Sequence, residues 1–391
     1  MSHQLSERQI VLTLASLAAI TPLAIDMYLP AIPAISQYLN TSIPHVQVSL
    51  SLYFFGMAIG QLIGGPISDA YGRRPMIVLG LTVFALCSFL LSFVTQIEIF
   101  WLLRAIQAIG GGFATVNVSA TVRDFFSGKE SARVFSLISM IMLLAPLIAP
   151  SFGSLVISLF TWNTIFIILG IYAIFAMAFY IFLFPPIQQV RTKITPVSNY
   201  IEVLTHKRAM LFIIAQTLCT SGMYTFITSS SFIYMGHFQV SPTEFSLYFA
   251  FNVLMMMLFG RLNAWLVKTI DPFSLLKFGM GVQAILGLIL FSMHNEPNLY
   301  LFSPLLGLYI GSLGFIFGNS VALILEFFPR ISASANAIIG VLQYSVGALM
   351  GFIASSLHDG TLFPITLVMM LVSLSGTLLL MIGTHNKPVA E

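Results

Sequence analysis

The chain has 391 residues, 58% of them hydrophobic and only 29 charged (16 basic, 13 acidic). A soluble domain of that size carries about 98 charged side chains, so a water-facing surface is excluded. Disorder is excluded too, because disordered chains are poor in Phe, Leu and Ile. In chain order, twelve apolar runs are each long enough to cross about 30 Å of hydrocarbon. They cover 10–38, 46–68, 75–97, 99–121, 134–160, 163–185, 209–234, 243–266, 273–293, 298–325, 331–357 and 361–383. Backbone polar groups in lipid must be satisfied internally, so the runs are predicted to be helices. They are too long and too continuously apolar for barrel strands. The polar start and the length of the first run do not fit a cleavable signal peptide. Cys87 and Cys219 sit inside runs and read as small core residues, with no disulfide or metal framework.

The net charge of +3 matters less than its placement. With the N-terminus inside, every basic residue except Arg104 falls in an inside segment or at an inner span end. The outside loops hold acids, among them Glu98, Glu244, Glu296 and Asp359. The positive-inside rule therefore predicts that both termini are cytoplasmic. The longest inside connection splits the spans six and six. The expected organisation is a six-helix bundle over 1–187, a linker over 188–208 and a second bundle over 209–391. A faint repeat links the halves: Leu102-Leu103-Arg104 aligns with Leu305-Leu306-Gly307 at an offset of 203. Two parallel six-helix repeats point to a transporter with its site at mid-membrane depth between them.

Two charges lie inside spans with no inner end to snorkel to, Asp26 and Arg104. Each costs at least about 2.5–3.5 kcal/mol at the bilayer centre, so both are functional candidates. At 1.5 Å per residue Asp26 lies about 24 Å up span one, and Arg104 about 8 Å below the outer surface. The matching depth would let the two face each other across a cavity, as a coupled pair, or form a buried ion pair that only fixes packing. Pro22, Pro30 and Pro33 share the helical face of Asp26 and loosen its helix. Gln107, Gly111 and Thr115 continue the face of Arg104.

No HExxH or GxSxG occurs, and Asp26 has no second intramembrane aspartate, so intramembrane hydrolysis has nothing to run on. All seven histidines are placed outside the spans, which argues against a histidine relay or a buried metal. In the second half the polar signal is uncharged. Tyr224 lies among hydroxyl residues from Thr217 to Ser231, and Asn336, Gly340, Gln343, Gly347 and Gly351 share one stripe. The glycines fit close helix packing, whereas Asn336 and Gln343 are expected to face a polar cavity.

Four motifs then carry a resemblance. Gly65-Pro66-Ile67-Ser68-Asp69-Ala70-Tyr71-Gly72-Arg73-Arg74 resembles the GxLxDxxGRR loop of the major facilitator superfamily. Arg104 through Gly111 is similar to the RxxQGxG motif of its proton-coupled members, with Ala108 in place of a glycine. Ala145-Pro146, Ala149-Pro150 and Gly153 resemble the GPxxGPxxGG antiporter motif. Asp26-Met27-Tyr28-Leu29-Pro30-Ala31-Ile32-Pro33 resembles the span-one signature of the bicyclomycin-resistance and chloramphenicol-efflux group.

The resemblance implies an all-α fold of twelve transmembrane helices in two halves, and a drug:proton antiporter of the bacterial inner membrane working by alternating access. A uniporter or proton symporter for a metabolite, and a receptor or scaffold without transport, are the alternatives. No enzyme activity, cofactor, metal or nucleic-acid partner is expected; a proton gradient supplies the energy. The substrate is expected to be small and largely apolar or amphipathic, and the protein a monomer. Asp26 and Arg104 would couple the proton. Both, with Gln107, Tyr224, Asn336 and Gln343, would meet substrate. Gly65, Asp69, Gly72, Arg73, Arg74 and Arg123 would form an ionic latch at the cytoplasmic face. Pro146, Pro150 and Gly153 would shape the antiporter helix.

Overall fold

A computed structural model describes residues 7–126, 128–184 and 196–383. The chain forms two compact units, Met1–Ile194 and Thr195–Glu391. All the regular structure described is helical, and twelve helical spans are long and apolar enough to cross a membrane. The first unit contains α1 (Glu7–Asp26), α2 (Ile32–Tyr38), α3 (Ile43–Tyr71), α4 (Arg73–Leu91), α5 (Ile97–Phe125), α6 (Gly128–Leu159) and α7 (Asn163–Leu183). The second contains α8 (Pro196–Thr205), α9 (Lys207–Ser231), α10 (Pro242–Leu266), α11 (Pro272–Ser292), α12 (Leu299–Gly311), α13 (Leu313–Glu326), α14 (Ser332–Ser356) and α15 (Phe363–Gly383).

Helix starts follow local chemistry. Ser42 caps α3 by accepting from His45 N, and Asp271 caps α11 by accepting from Ser274 N. Ser241 and Glu244 form a reciprocal capping box on α10. Within the first unit α5 is the hub. Gly56 and Gly60 of α3 lie against Ala105, Ala108 and Gly112, and Gly80 of α4 lies against Gly110, so any side chain there would strike neighbouring backbone. Small residues of this kind let helices approach where no hydrophobic drive exists between them. Ala108 is wholly buried against Gly56, so this departure from the glycine motif is absorbed by a glycine on the partner helix.

Four differences from the sequence expectation have physical causes. Span one is not one helix: α1 stops at Asp26, a short 3₁₀ turn covers Leu29–Ala31, and α2 resumes at Ile32. Pro30 and Pro33 cannot donate the hydrogen bonds that would continue α1. The span expected at 298–325 divides into α12 and α13 where the Ser312 hydroxyl donates to Tyr309 O at 2.6 Å. Span seven ends in a π-helical turn, Phe232–His237, which places His237 at the end of a span, as His45 is at the start of another. The polar stretch expected to be linker contains α8 and the first turn of α9; residues 188–195 of that linker lie outside the described residues.

Candidate functional site

The site is built around the interruption of span one. The last four carbonyls of a helix have no intrahelical partner. At the end of α1 Leu23 O accepts from Met27 N at 3.1 Å, and Ala24 O accepts from Arg104 Nη2 of α5 at 3.1 Å. Arg104 thus caps α1, at the negative pole of the helix, where a cation is stabilised. Its Nη1 donates to Gln107 Oε1 at 2.7 Å, one turn along α5. Gln107 Nε2 donates to Ser88 Oγ at 2.7 Å, and Ser88 Oγ to Phe84 O at 2.7 Å, both in α4.

Arg104 is 0% exposed and Asp26 3% exposed; they are the only buried charged side chains among the described residues. They do not pair. Among the described residues the Asp26 carboxyl has no hydrogen-bond or ion-pair partner, and the ion pair found is Arg73–Asp124. The alternative reading of the two as an ion pair that only fixes packing is corrected: equal depth in a membrane does not fix the direction in which each helix points its side chain. In place of a carboxylate, aromatic rings surround the guanidinium. Its Cζ lies 4.5 Å from the ring centroid of Tyr28, 4.3 Å from that of Tyr53 and 5.9 Å from that of Phe166. A desolvated cation over such a face gains about 2 kcal/mol. The hydroxyls of Tyr28 and Ser49 are hydrogen-bonded at 3.0 Å, fixing the Tyr28 ring. The Asp26 carboxyl is thus left without a counter-charge at ion-pair distance.

Gly153 of α6 explains its place in the antiporter motif. A Cβ on it would collide with the carbonyl of Met27, so α6 presses directly on the span-one interruption. Pro146 is half-buried and Pro150 buried on the same helix.

The charged loop differs from the expected latch. Arg73 forms a two-pronged pair with Asp124 at the end of α5, Nε to Oδ2 at 2.6 Å and Nη2 to Oδ1 at 3.0 Å. Arg74 Nη2 donates to Ile181 O in the last turn of α7 at 3.0 Å. Both contacts stay inside the first unit. Asp69 is exposed and is not the partner of Arg73. Gly72 turns the chain between α3 and α4 at φ +103°, which favours glycine, and its N–H donates to Ser68 O at 2.9 Å. Gly65 is half-buried beside Val116, and the Arg123 side chain lies outside the described residues.

In the second unit Tyr224 of α9 is buried, its ring against Gly347 and 5.6 Å from the ring of Tyr344, both of α14. Gln343 is half-buried and Asn336 exposed near the start of α14. Most span-seven hydroxyls whose bonds are resolved serve their own helix: Thr220, Ser221, Thr225 and Ser230 donate to carbonyls three or four residues back. Tyr28, Tyr53, Ser88 and Phe166 were not singled out in the sequence as site residues. Only Tyr28, two residues from Asp26, carried a usable signal.

The model of the Major Facilitator Superfamily matches residues 14–355. The chain belongs to the major facilitator superfamily. It is a multi-pass membrane protein of that fold. Among curated superfamily relatives it is 29% identical over 375 residues to a bicyclomycin resistance protein homolog of Haemophilus influenzae, covering 94% of each chain. It is also 29% identical over 370 residues to a chloramphenicol resistance protein of Pseudomonas aeruginosa, covering 91% of this chain and 86% of that one. Among solved structures, the nucleoside transporter NupG superposes with a TM-score of 0.75 over 96% of this chain and 100% of that one, at 15% identity. That likeness speaks to the fold alone.

Proposed function

We propose that this superfamily member is a proton-driven exporter of small, largely apolar or amphipathic drug-like molecules in the bacterial inner membrane. It is a carrier rather than an enzyme, acts as a monomer with both termini in the cytoplasm, and works by alternating access of its two six-helix units. One observation carries the reading: a buried carboxyl without a counter-ion, Asp26, stands at the end of a helix capped by a buried cation, Arg104. Such intramembrane charges are costly and mark proton or substrate pathways. The relatives, named for resistance to bicyclomycin and chloramphenicol, make those two drugs the substrates to try first.

In this mechanism Asp26 takes a proton from the outside and gives it up inside, in exchange for drug. Arg104 sets when the proton leaves, because a cation brought nearer favours the carboxylate and desolvation favours the acid. Gln107 is committed to Arg104 and Ser88, so its role is to orient the cation. Tyr224, Asn336 and Gln343 remain the candidates for drug contact in the second unit. The test is a growth-inhibition panel with and without expression, followed by flux into proteoliposomes under an imposed pH gradient. Accumulation of chloramphenicol or bicyclomycin against its own gradient, collapsed by a protonophore, is the expected result. Flux indifferent to the protonophore would reject proton coupling.

A further inference from the structure

One of the three guanidinium nitrogens of Arg104 has no hydrogen-bond partner. Nη1 and Nη2 have partners, but Nε, buried with the rest of the side chain, has none. Two carbonyl-type oxygens do not neutralise a full charge, and the rings do the remaining work. Tyr28 comes from the interruption of span one, Tyr53 from α3 and Phe166 from α7, so three separate segments converge on one guanidinium. The Tyr28 and Tyr53 centroids fall well within the range of about 6 Å over which a ring face attracts a cation. Phe166 is at the limit of that range and backs the Tyr28 ring, 6.0 Å between centroids.

The geometry points to Tyr28 and Tyr53 as positioning residues of the proton step: their faces keep the guanidinium on the Ala24 carbonyl and away from the Asp26 carboxyl. This rests on the export reading above. A buried guanidinium stripped of its ring faces is an uncompensated charge. The strongest compensating group within the same helix end is the Asp26 carboxylate, two residues beyond Ala24. Once paired there, Asp26 stays charged and stops cycling its proton, so gradient-driven export fails while drug exchange continues. The tyrosines act on Asp26 through Arg104, and so decide whether Asp26 is available.

The test changes the ring face without changing its shape. In the full chain, Tyr53 is replaced by Phe and then by phenylalanine bearing one, three or five fluorines, which progressively weaken the attraction for a cation. Three quantities are read: chloramphenicol accumulation driven by a pH gradient, chloramphenicol counterflow without a gradient, and the guanidinium ¹H–¹⁵N resonances of Arg104, assigned by their loss in Arg104→Lys. Tyr53→Phe is expected to stay within about twofold of wild type. Accumulation is expected to fall stepwise with fluorine number, by about tenfold or more at five, while counterflow stays within about twofold. The Arg104 signal is expected to move downfield over the same series, as a guanidinium N–H does when it donates to a carboxylate. Accumulation flat across the fluorine series, or an unmoved Arg104 signal, overturns the proposal, because a purely structural ring would give that result. Wild-type protein that fails to accumulate chloramphenicol contradicts the export reading instead, and the Arg104 resonance then decides the positioning claim by itself.

Discussion

In the first unit Asn117 of α5 accepts from the Ser68 hydroxyl of α3 and donates to Phe113 O, four residues back, at 2.8 Å. In the second unit, 202 positions on, Asn319 of α13 donates to Asn263 Oδ1 of α10 at 2.7 Å and to Phe315 O, again four residues back, at 2.9 Å. Close glycine contacts repeat beside them, Gly60 on Gly112 and Gly260 on Gly314. The units therefore share a polar clamp and a glycine contact between corresponding helices. They part at the level of Arg104. An offset of 203 places Gly307 opposite it, and the ring of Phe251 and the Asn252 side chain lie where a side chain on Gly307 would go. The nearby polar groups of the second unit are neutral: Tyr234 and Ser303 share a hydrogen bond of 3.0 Å, and Asn252 Nδ2 donates to Tyr234 at 3.4 Å. The packing hardware is duplicated, and among the described residues buried charge is confined to the first unit. That asymmetry fits a division in which one unit carries the coupling ion and the other supplies an uncharged surface.

The comparison breaks most sharply at Arg104. Arg104→Ala removes a cation that satisfies Ala24 O and Gln107 Oε1, both buried. We expect about 2–5 kcal/mol of lost stability, read as a lower unfolding temperature in detergent, together with loss of gradient-driven export. Arg104→Lys is expected to recover only part of each, since a compact ammonium cannot reproduce the fork that holds both acceptors. Equal unfolding temperatures for wild type and Arg104→Ala would mean that the cap and cage contribute nothing.

A smaller, symmetric effect tests the duplicated clamp. Asn117→Ala and Asn319→Ala are each expected to cost about 1–3 kcal/mol, because each strands a buried partner. If the clamps are equivalent, the two losses agree within about 1 kcal/mol. A large loss in one and none in the other would dissolve the structural repeat at this level.

The weakest effect belongs to the charged loop. Asp124→Asn removes the partly exposed partner of Arg73 and is expected to lower stability by about 1 kcal/mol or less, more so at low salt. Asp69→Asn is expected to change stability less than Asp124→Asn, since Asp69 is exposed and is not the partner of Arg73. The reverse order would restore Asp69 as the ionic partner in the populated conformation.

The helices were legible because a span is written in an unbroken apolar run, and even the interruption of span one was half-written in Pro30 and Pro33. The direction of a side chain was not. Depth along a helix follows from counting residues, which is why Asp26 and Arg104 stood out; azimuth depends on packing, which sent Arg104 to a carbonyl and two tyrosine rings. Tyr53 lies among the Phe and Leu residues of α3 and looks like any aromatic in an apolar run. The hydroxyl cluster of span seven stood out as an uncharged polar signal, but several of its members bond to their own helix, an outcome that composition alone does not reveal. Arg73 was marked in the charged loop, yet its pairing with Asp124 needed the approach of the start of α4 to the end of α5.

The central claim, that coupling resides at Asp26 in the first unit, is tested most directly by proton release on drug binding. Purified protein is placed in weakly buffered detergent solution with a pH dye, and chloramphenicol is added to wild type and to Asp26→Asn. The account predicts a proton released by wild type and none by the Asn variant, with drug binding itself retained in both. Undiminished proton release from Asp26→Asn would contradict it and move the coupling site elsewhere in the chain.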